Sequence, residues 1–357
     1  MKNYIIALCC FLSMGVLAQT NVVKTTALKS NNYGVTYYLP KTEFVIQAKV
    51  SKITEKAGVY HKYSQRYLGM THPITEDREY YTLDEVTVQT RGVADKNQAY
   101  LIEFKSKTTA PFACLTEDGL LCTINADYQP EPIVQEKQKE EEKKMTVDVQ
   151  SIYTEEYLQA GSIGKMAEVS AKQIYRIRES RTDLLTGDAD NVPRDGEAMR
   201  LVLQELEARE KALTDLFIGS TQVEEQSFEI TLLPESDRRD VLFRFSKHLG
   251  VVDAEDLSGS PVYIDIKALD KKPEITDPKE LERLAKAAIN PKGLIYNLPG
   301  KSSVNITFGT KNIYSGEHLV SQFGSTEVLL PSVFEDKKAP VKVYFYPETG
   351  ALKQVIQ

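Results

Sequence analysis

Residues 34–50 read GVTYYLPKTEFVIQAKV, and this stretch sets the reading of the whole chain. Its β-branched and aromatic residues place Phe44, Ile46, Ala48 and Val50 on one alternating face, the period of a half-buried strand. Pro40 has no N–H to give to a ladder, so the spacing predicts two strands meeting there. Working outward, similar runs predict strands at Tyr80–Thr90, Ala99–Lys105, Phe112–Leu115 and Leu120–Ile124. Between Gly58 and Gly69 the period changes to helical, with Tyr60, Tyr63 and Tyr67 on one face and Gly69 suited to end the helix. A tyrosine face of this kind either packs on a sheet or lines a ligand groove, and packing is the commoner use.

Gln135–Lys144 reads QEKQKEEEKK and has nothing to bury, so it marks a boundary. Two long helices are expected after it. Ile163, Met166, Ile174 and Ile177 form a stripe on the first; Met199, Val202, Leu203, Leu206, Leu213, Leu216 and Phe217 form a fuller one on the second. The connection Gly187–Arg194 is short enough to fold them into an antiparallel hairpin. From Phe228 the chain is β again, apart from a helix expected over Pro278–Ala288 with Asp277 at its N-cap. The expected fold class is α+β: two mainly antiparallel β-rich domains, sandwich or open barrel, with a long helical hairpin between them. The divisions are 1–18, 19–134, 135–222 for linker and hairpin, and 223–357.

The opening stretch has an echo. Gly34-Val35-Thr36-Tyr37-Tyr38-Leu39-Pro40 and Gly293-Leu294-Ile295-Tyr296-Asn297-Leu298-Pro299 share the pattern G-x-x-Y-x-L-P. Ser64-Gln65 answers Ser321-Gln322, and Ala110-Pro111 before Glu117-Asp118-Gly119 answers Ala339-Pro340 before Glu348-Thr349-Gly350. Three markers in one order suggest a duplicated unit: a proline-stopped strand, a helical turn, and a closing hairpin. A further likeness, Gly92-Val93-Ala94-Asp95 with Gly250-Val251-Val252-Asp253, lies out of order and would require a permuted second copy.

Residues 1–18 read as a cleavable export signal. Lys2 is the positive end, Tyr4–Leu17 the apolar run, and Val16 and Ala18 the small residues of a cleavage site after Ala18. The run is shorter than the roughly 20 residues that span a bilayer, and no later stretch is longer, so no transmembrane span is expected after cleavage. Leu8 before Cys9 argues against lipidation at Cys9 or Cys10. The protein is therefore expected in the periplasm or outside the cell. Loss of Lys2 takes the net charge from −7 to −8, with no basic surface run, which argues against nucleic acid as a partner. The chain has no Trp but 19 Tyr, so an aromatic sugar platform has only tyrosine to build on.

Few motifs carry chemistry. Cys114 and Cys122 flank the turn at Asp118-Gly119 in an oxidising compartment, which makes a disulfide possible. A two-residue loop would pair 114 with 123 and point the thiols apart, whereas a three-residue loop would set Cys114 across from Cys122. Asp188, Asp190, Asn191 and Asp195 suggest calcium, but Pro193 stands where an EF-hand turn needs Gly and Met199 where it needs Glu; capping and turn formation explain them better. The histidines His61, His72, His248 and His318 form no zinc signature. Acidic residues such as Glu55, Glu76 and Asp77 are too common in this chain to single out a glycosidase pair. No catalytic, cofactor-binding or metal-binding residue, and no cofactor, is expected.

Tyr38-Leu39-Pro40-Lys41-Thr42, then Leu184-Leu185-Thr186-Gly187-Asp188 with Asp190-Asn191 and Asp195-Gly196-Glu197, and Gln322-Phe323-Gly324 near the end, resemble a family of exported Bacteroidetes proteins of unknown function. The resemblance spans nearly the whole mature chain and implies envelope location and a shared architecture, without an activity. The sequence thus points to an exported envelope protein with a non-catalytic binding or assembly role. Its expected partner is another envelope protein, or a second copy through the helical hairpin. The rivals are a hydrolase of envelope or dietary polymers, marked by a deep acidic cleft, and a chaperone-like factor, marked by a projecting arm with an exposed apolar stripe.

Overall fold

The computed structural model describes residues 21–24, 34–103, 113–129, 147–193, 195–270, 278–279, 293–330, 333 and 341–356. The expected export signal at 1–18, the charged run Gln135–Lys144 and nearly all of the helix expected at Pro278–Ala288 lie outside these residues. The fold is mostly antiparallel sheet. The first sheet runs β1 (Asn21–Lys24), β3 (Arg78–Glu103), β2 (Gly34–Lys56), β6 (Ser220–Leu232). The second runs β11 (Lys311–Leu329), β10 (Leu294–Phe308), β9 (Ser260–Ala268), β7 (Arg238–Ser246), β8 (Gly250–Val252). The third runs β13 (Leu352–Ile356), β12 (Lys342–Phe345), β5 (Leu121–Ile124), β4 (Ala113–Leu115). Two of the three mix strands from both sides of the expected boundaries, because β6 pairs with β2 and β12 with β5.

The alternating face of the opening stretch is buried as its period requires. Phe44, Ile46, Ala48 and Val50 meet Phe243, Ile264 and Ile306 between the first two sheets. A second core joins Tyr37, Leu39 and Ile102 to Leu294, Tyr296, Val343 and Phe345 under the third sheet. The break expected at Pro40 does not occur: β2 is one strand, and the expected strands at Tyr80–Thr90 and Ala99–Lys105 are likewise parts of the single β3. The reason is that the irregularity falls on the partner strand. Tyr38 faces Ala99 and Pro40 faces Ala94, so Leu39 alone stands against the four residues Asp95–Gln98, and the ladder is interrupted beside the residue that has no N–H to give.

The same device recurs at the echo. Asn297 faces Thr326, Leu298 faces Ser325 and Gly300 faces Val320, so Pro299 alone stands against the four residues Ser321–Gly324, one position later in the motif than at Leu39. Gly34 and Gly293 are equivalent too: a Cβ on either would lie 2.4 Å from a partner carbonyl, of Ile102 and Leu329 respectively. The closing hairpins share a one-residue irregularity, Cys114↔Thr123 then Leu115↔Leu121 in one and Tyr344↔Gln354 then Phe345↔Leu352 in the other, although the second encloses one residue more. Even the contact between hairpin and strand repeats, as Tyr38 N–H donates to Gly119 O and Asn297 N–H to Gly350 O. Two markers are not equivalent. Ser64-Gln65 lies in a helix whereas Ser321-Gln322 lies in β11, and Gly92 lies in β3 whereas Gly250 opens the edge strand β8, so no permutation is needed.

The tyrosine stretch forms a 3-10 turn at His61–Tyr63 and then α1 (Ser64–Leu68), ended by Gly69 at φ 71°. Thr154 caps α2 (Glu155–Leu158), Ser162 caps α3 (Ile163–Thr186), and Asp195 caps α4 (Gly196–Ile218) by accepting from the Ala198 amide. Tyr60 packs with Ile174, Leu213 and Phe217 in a third core, so its face is a packing face. Arg178 and Arg181 of α3 both bind Glu210 of α4, at 2.6 and 3.0 Å. Burial is confined to the inner parts of both helices. Ile163, Leu185, Leu201 and Val202 are exposed, although Ile163 and Val202 belong to the stripes that the helical period picks out.

Candidate functional site

The two proline bulges do not merely resemble each other; they meet. Asn297 is buried and spends both amide hydrogens on backbone, donating to Pro40 O at 3.0 Å and to Thr349 O at 2.8 Å. Thr42 is clasped by the second bulge. Its N–H donates to Gln322 Oε1 at 2.9 Å, and Gln322 Nε2 donates back to Thr42 O at 2.8 Å, as a ladder partner would. Thr42 Oγ1 accepts the Ser321 amide at 3.1 Å and lies 2.8 Å from Ser321 Oγ, which donates to Thr349 O at 2.9 Å. Every buried polar group named here has a partner, so the junction is well fixed.

A cleft of about 640 Å³ opens beside this junction, within the usual range of small-molecule sites. Leu39, Pro40, Lys41, Asp95 and Gln98 line it from β2 and β3; Asn297, Ser321, Gln322, Ser325 and Thr326 line it from β10 and β11, and Glu235 closes the side from the loop before β7. By register Asp95 corresponds to Gln322 and Gln98 to Ser325, so the two bulges present matching positions carrying different chemistry. Lys41 Nζ stands 3.9 Å from Asp95, too far for a full hydrogen bond, and Asp95 also accepts the Asn97 amide at 3.0 Å. Gln98 accepts the Tyr100 hydroxyl at 2.6 Å, which leaves its amide hydrogens for the cleft. Among the described residues, Glu235 and the hydroxyls of Ser325 and Thr326 have no partner within the chain.

Such a set can hold a polar ligand by hydrogen bonds over a small apolar floor. Of the two lining carboxylates, Asp95 lies 3.9 Å from the Lys41 ammonium and Glu235 is exposed. None of these residues was singled out as a site in the sequence. Their signal was the G-x-x-Y-x-L-P echo itself, because in both places the partner strand bulges beside the motif's Leu-Pro.

Cys114 and Cys122 lie on β4 and β5 away from the cleft's lining, as free thiols. Neither loop register expected for them holds throughout: Leu115↔Leu121 follows the three-residue form and Cys114↔Thr123 the two-residue form, so Cys122 occupies the irregularity between them. Burial, and then the neighbouring Cys114, push the Cys122 thiol up to about 11. Among the described residues no group of His, Cys, Asp and Glu is placed to hold a metal ion, and no helix is long and apolar enough to cross a membrane.

A family model described as "Domain of unknown function (DUF4831)" matches residues 33–353. No curated protein and no solved structure matches the chain.

Proposed function

The chain belongs to this domain-of-unknown-function family, and from that premise we propose that it is an exported, non-catalytic protein that holds a small polar ligand in the cleft between its two proline bulges. The organisation we put forward is two copies of one β unit, 34–124 and 293–355, with the helices between them in sequence. Export after Ala18 to the periplasm or cell exterior belongs to the same proposal and rests on the leader residues.

The observation that carries the binding role is the convergence of two register-matched bulges on one cleft. Backbone irregularities of this kind concentrate at sites, where they re-aim side chains. Here the cores behind the bulges are fully packed and the junction polar groups are paired, while the outward groups Lys41, Gln98, Glu235, Ser325 and Thr326 are left for something else. That division between a satisfied frame and an open lining is how preformed sites are built.

Amide hydrogen exchange of the mature chain tests this with three probe classes: maltotriose and N,N′-diacetylchitobiose, triglycine, and glucose 6-phosphate. One class is expected to slow exchange at 95–98 and 321–326 and to be recovered unchanged. Conversion of a probe would replace binding by catalysis. Exchange at the cleft that no class alters would remove the cleft from the proposal.

A further inference from the structure

The chemistry of the lining narrows the ligand, on the premise that the cleft is a binding site. We infer that it takes a neutral, hydroxyl-rich ligand, a short saccharide, in preference to an anion or a peptide. Charge comes first. Among the described residues Lys41 is the one cation in the lining and stands beside Asp95, and Glu235 has no cation paired with it. A phosphate, sulfate or uronate entering the cleft meets that carboxylate and only a shared ammonium, which disfavours it.

Hydrogen-bonding capacity comes next. The groups left over are mixed: Lys41 and Gln98 donate, Asp95 and Glu235 accept, and the hydroxyls of Ser325 and Thr326 do both. A sugar hydroxyl both donates and accepts at one atom, so adjacent hydroxyls satisfy adjacent donors and acceptors without a fixed order. A peptide backbone needs donors and acceptors alternating at ladder spacing, whereas the lining amides of Asn297 and Gln322 are already spent on the chain's own backbone.

Leu39 and Pro40, both largely buried, lie at the base of the cleft, where the Asn297 bond to the Pro40 carbonyl fixes them. Among the described residues no aromatic side chain lines the cleft, so affinity rests on hydrogen bonds. Loss of one of them to a charged acceptor then weakens binding by roughly tenfold or more.

The test is a titration of the mature chain, followed through its backbone amide resonances, with maltotriose, N,N′-diacetylchitobiose, triglycine and glucose 6-phosphate. Glu235→Gln and Ser325→Ala are made at exposed positions, so both variants keep the fold. The expected result is saturable shifts at 39–42, 95–98 and 321–326 with at least one saccharide and with neither control, the dissociation constant rising roughly tenfold in Glu235→Gln. Triglycine or glucose 6-phosphate acting at those amides without either saccharide overturns the ligand class and leaves the cleft as a binding site. Saccharide shifts elsewhere, or ones indifferent to both variants, overturn the inference. Silence of the cleft amides toward all four probes removes both the inference and the binding role beneath it.

Discussion

The hydroxyl of Tyr37 bonds twice to the backbone of Ile295, accepting its N–H and donating to its C=O, each at 3.1 Å. Strand β9 pairs only with Ser302–Phe308 of β10, so among the described residues that edge of β10 has no strand beside it at Ile295. A side chain from the first copy therefore supplies the ladder partner that the second copy lacks, and Gly350 O does the same for Asn297 two residues on. Burial raises the Tyr37 hydroxyl far above the ordinary tyrosine value, so it stays protonated and able to do both.

Tyr37→Phe keeps the ring packing but leaves two buried backbone groups unpaired. The expected loss is about 1–3 kcal/mol of unfolding free energy, read from urea denaturation with an unchanged slope. A variant as stable as the parent would mean that water or another group satisfies Ile295.

The helices separate core from surface along their length. Leu213 is 0% exposed among Tyr60, Ile174 and Phe217, and Leu213→Asp is expected to cost roughly 3–5 kcal/mol because a charge would sit there unpaired. Leu201 is 48% exposed, and Leu201→Asp should change stability by no more than about 0.5 kcal/mol. Light scattering on the second variant gives the other outcome: if an oligomer present in the parent dissociates, the outer apolar residues form an intermolecular contact.

How much of this was legible beforehand follows from the range of each signal. The alternation of Phe44, Ile46, Ala48 and Val50 is a local property, and so are the caps at Ser162 and Asp195; all can be read residue by residue. The pairing of β6 with β2 is set by cores assembled from distant segments, which no local period encodes. Pro40 shows both sides. Its missing N–H was visible, but whether the chain answers by ending the strand or by bulging its partner depends on residues 93–99, which face it only in the fold. For the same reason Asp95 and Gln98 were invisible as cleft residues until the bulge placed them opposite Ser325 and Thr326.

Stability is expected to fall in mild acid through His318. This residue lies against Phe44, and its Nε2 is 2.7 Å from the Tyr314 hydroxyl, a bond the neutral ring accepts. Burial lowers its pKa below the ordinary 6.5. Its folded pKa being depressed, the unfolded chain binds the proton first as pH drops below about 6.5, so unfolding is favoured progressively until the folded-state pKa is passed. Denaturation midpoints from pH 7.5 to 4.5 should show a fall that His318→Gln reduces. A profile identical in the variant would assign the acid sensitivity elsewhere.

Export and thiol state are read together from intact mass. Protein recovered from the envelope is expected to begin at Gln19 and, if Cys114 and Cys122 bridge, to weigh two hydrogens less than the reduced chain. Cys122 is buried with its thiol pushed up to about 11, which disfavours the thiolate in the folded chain. Alkylation of both thiols after unfolding without reductant would exclude the bridge. A species retaining residues 1–18 would exclude cleavage.

The absence of tryptophan allows the cleft to be watched alone. Thr326→Trp, at an exposed lining position, would carry the single indole of the molecule, with Leu257→Trp at an 81% exposed position as control. If the cleft holds a saccharide, adding maltotriose or N,N′-diacetylchitobiose shifts the emission of the cleft indole saturably, the apparent affinity falls roughly tenfold when Glu235→Gln is added, and the control does not respond. Emission from the cleft indole that stays unchanged with both sugars, or that changes equally at both positions, would contradict a ligand site between the two bulges.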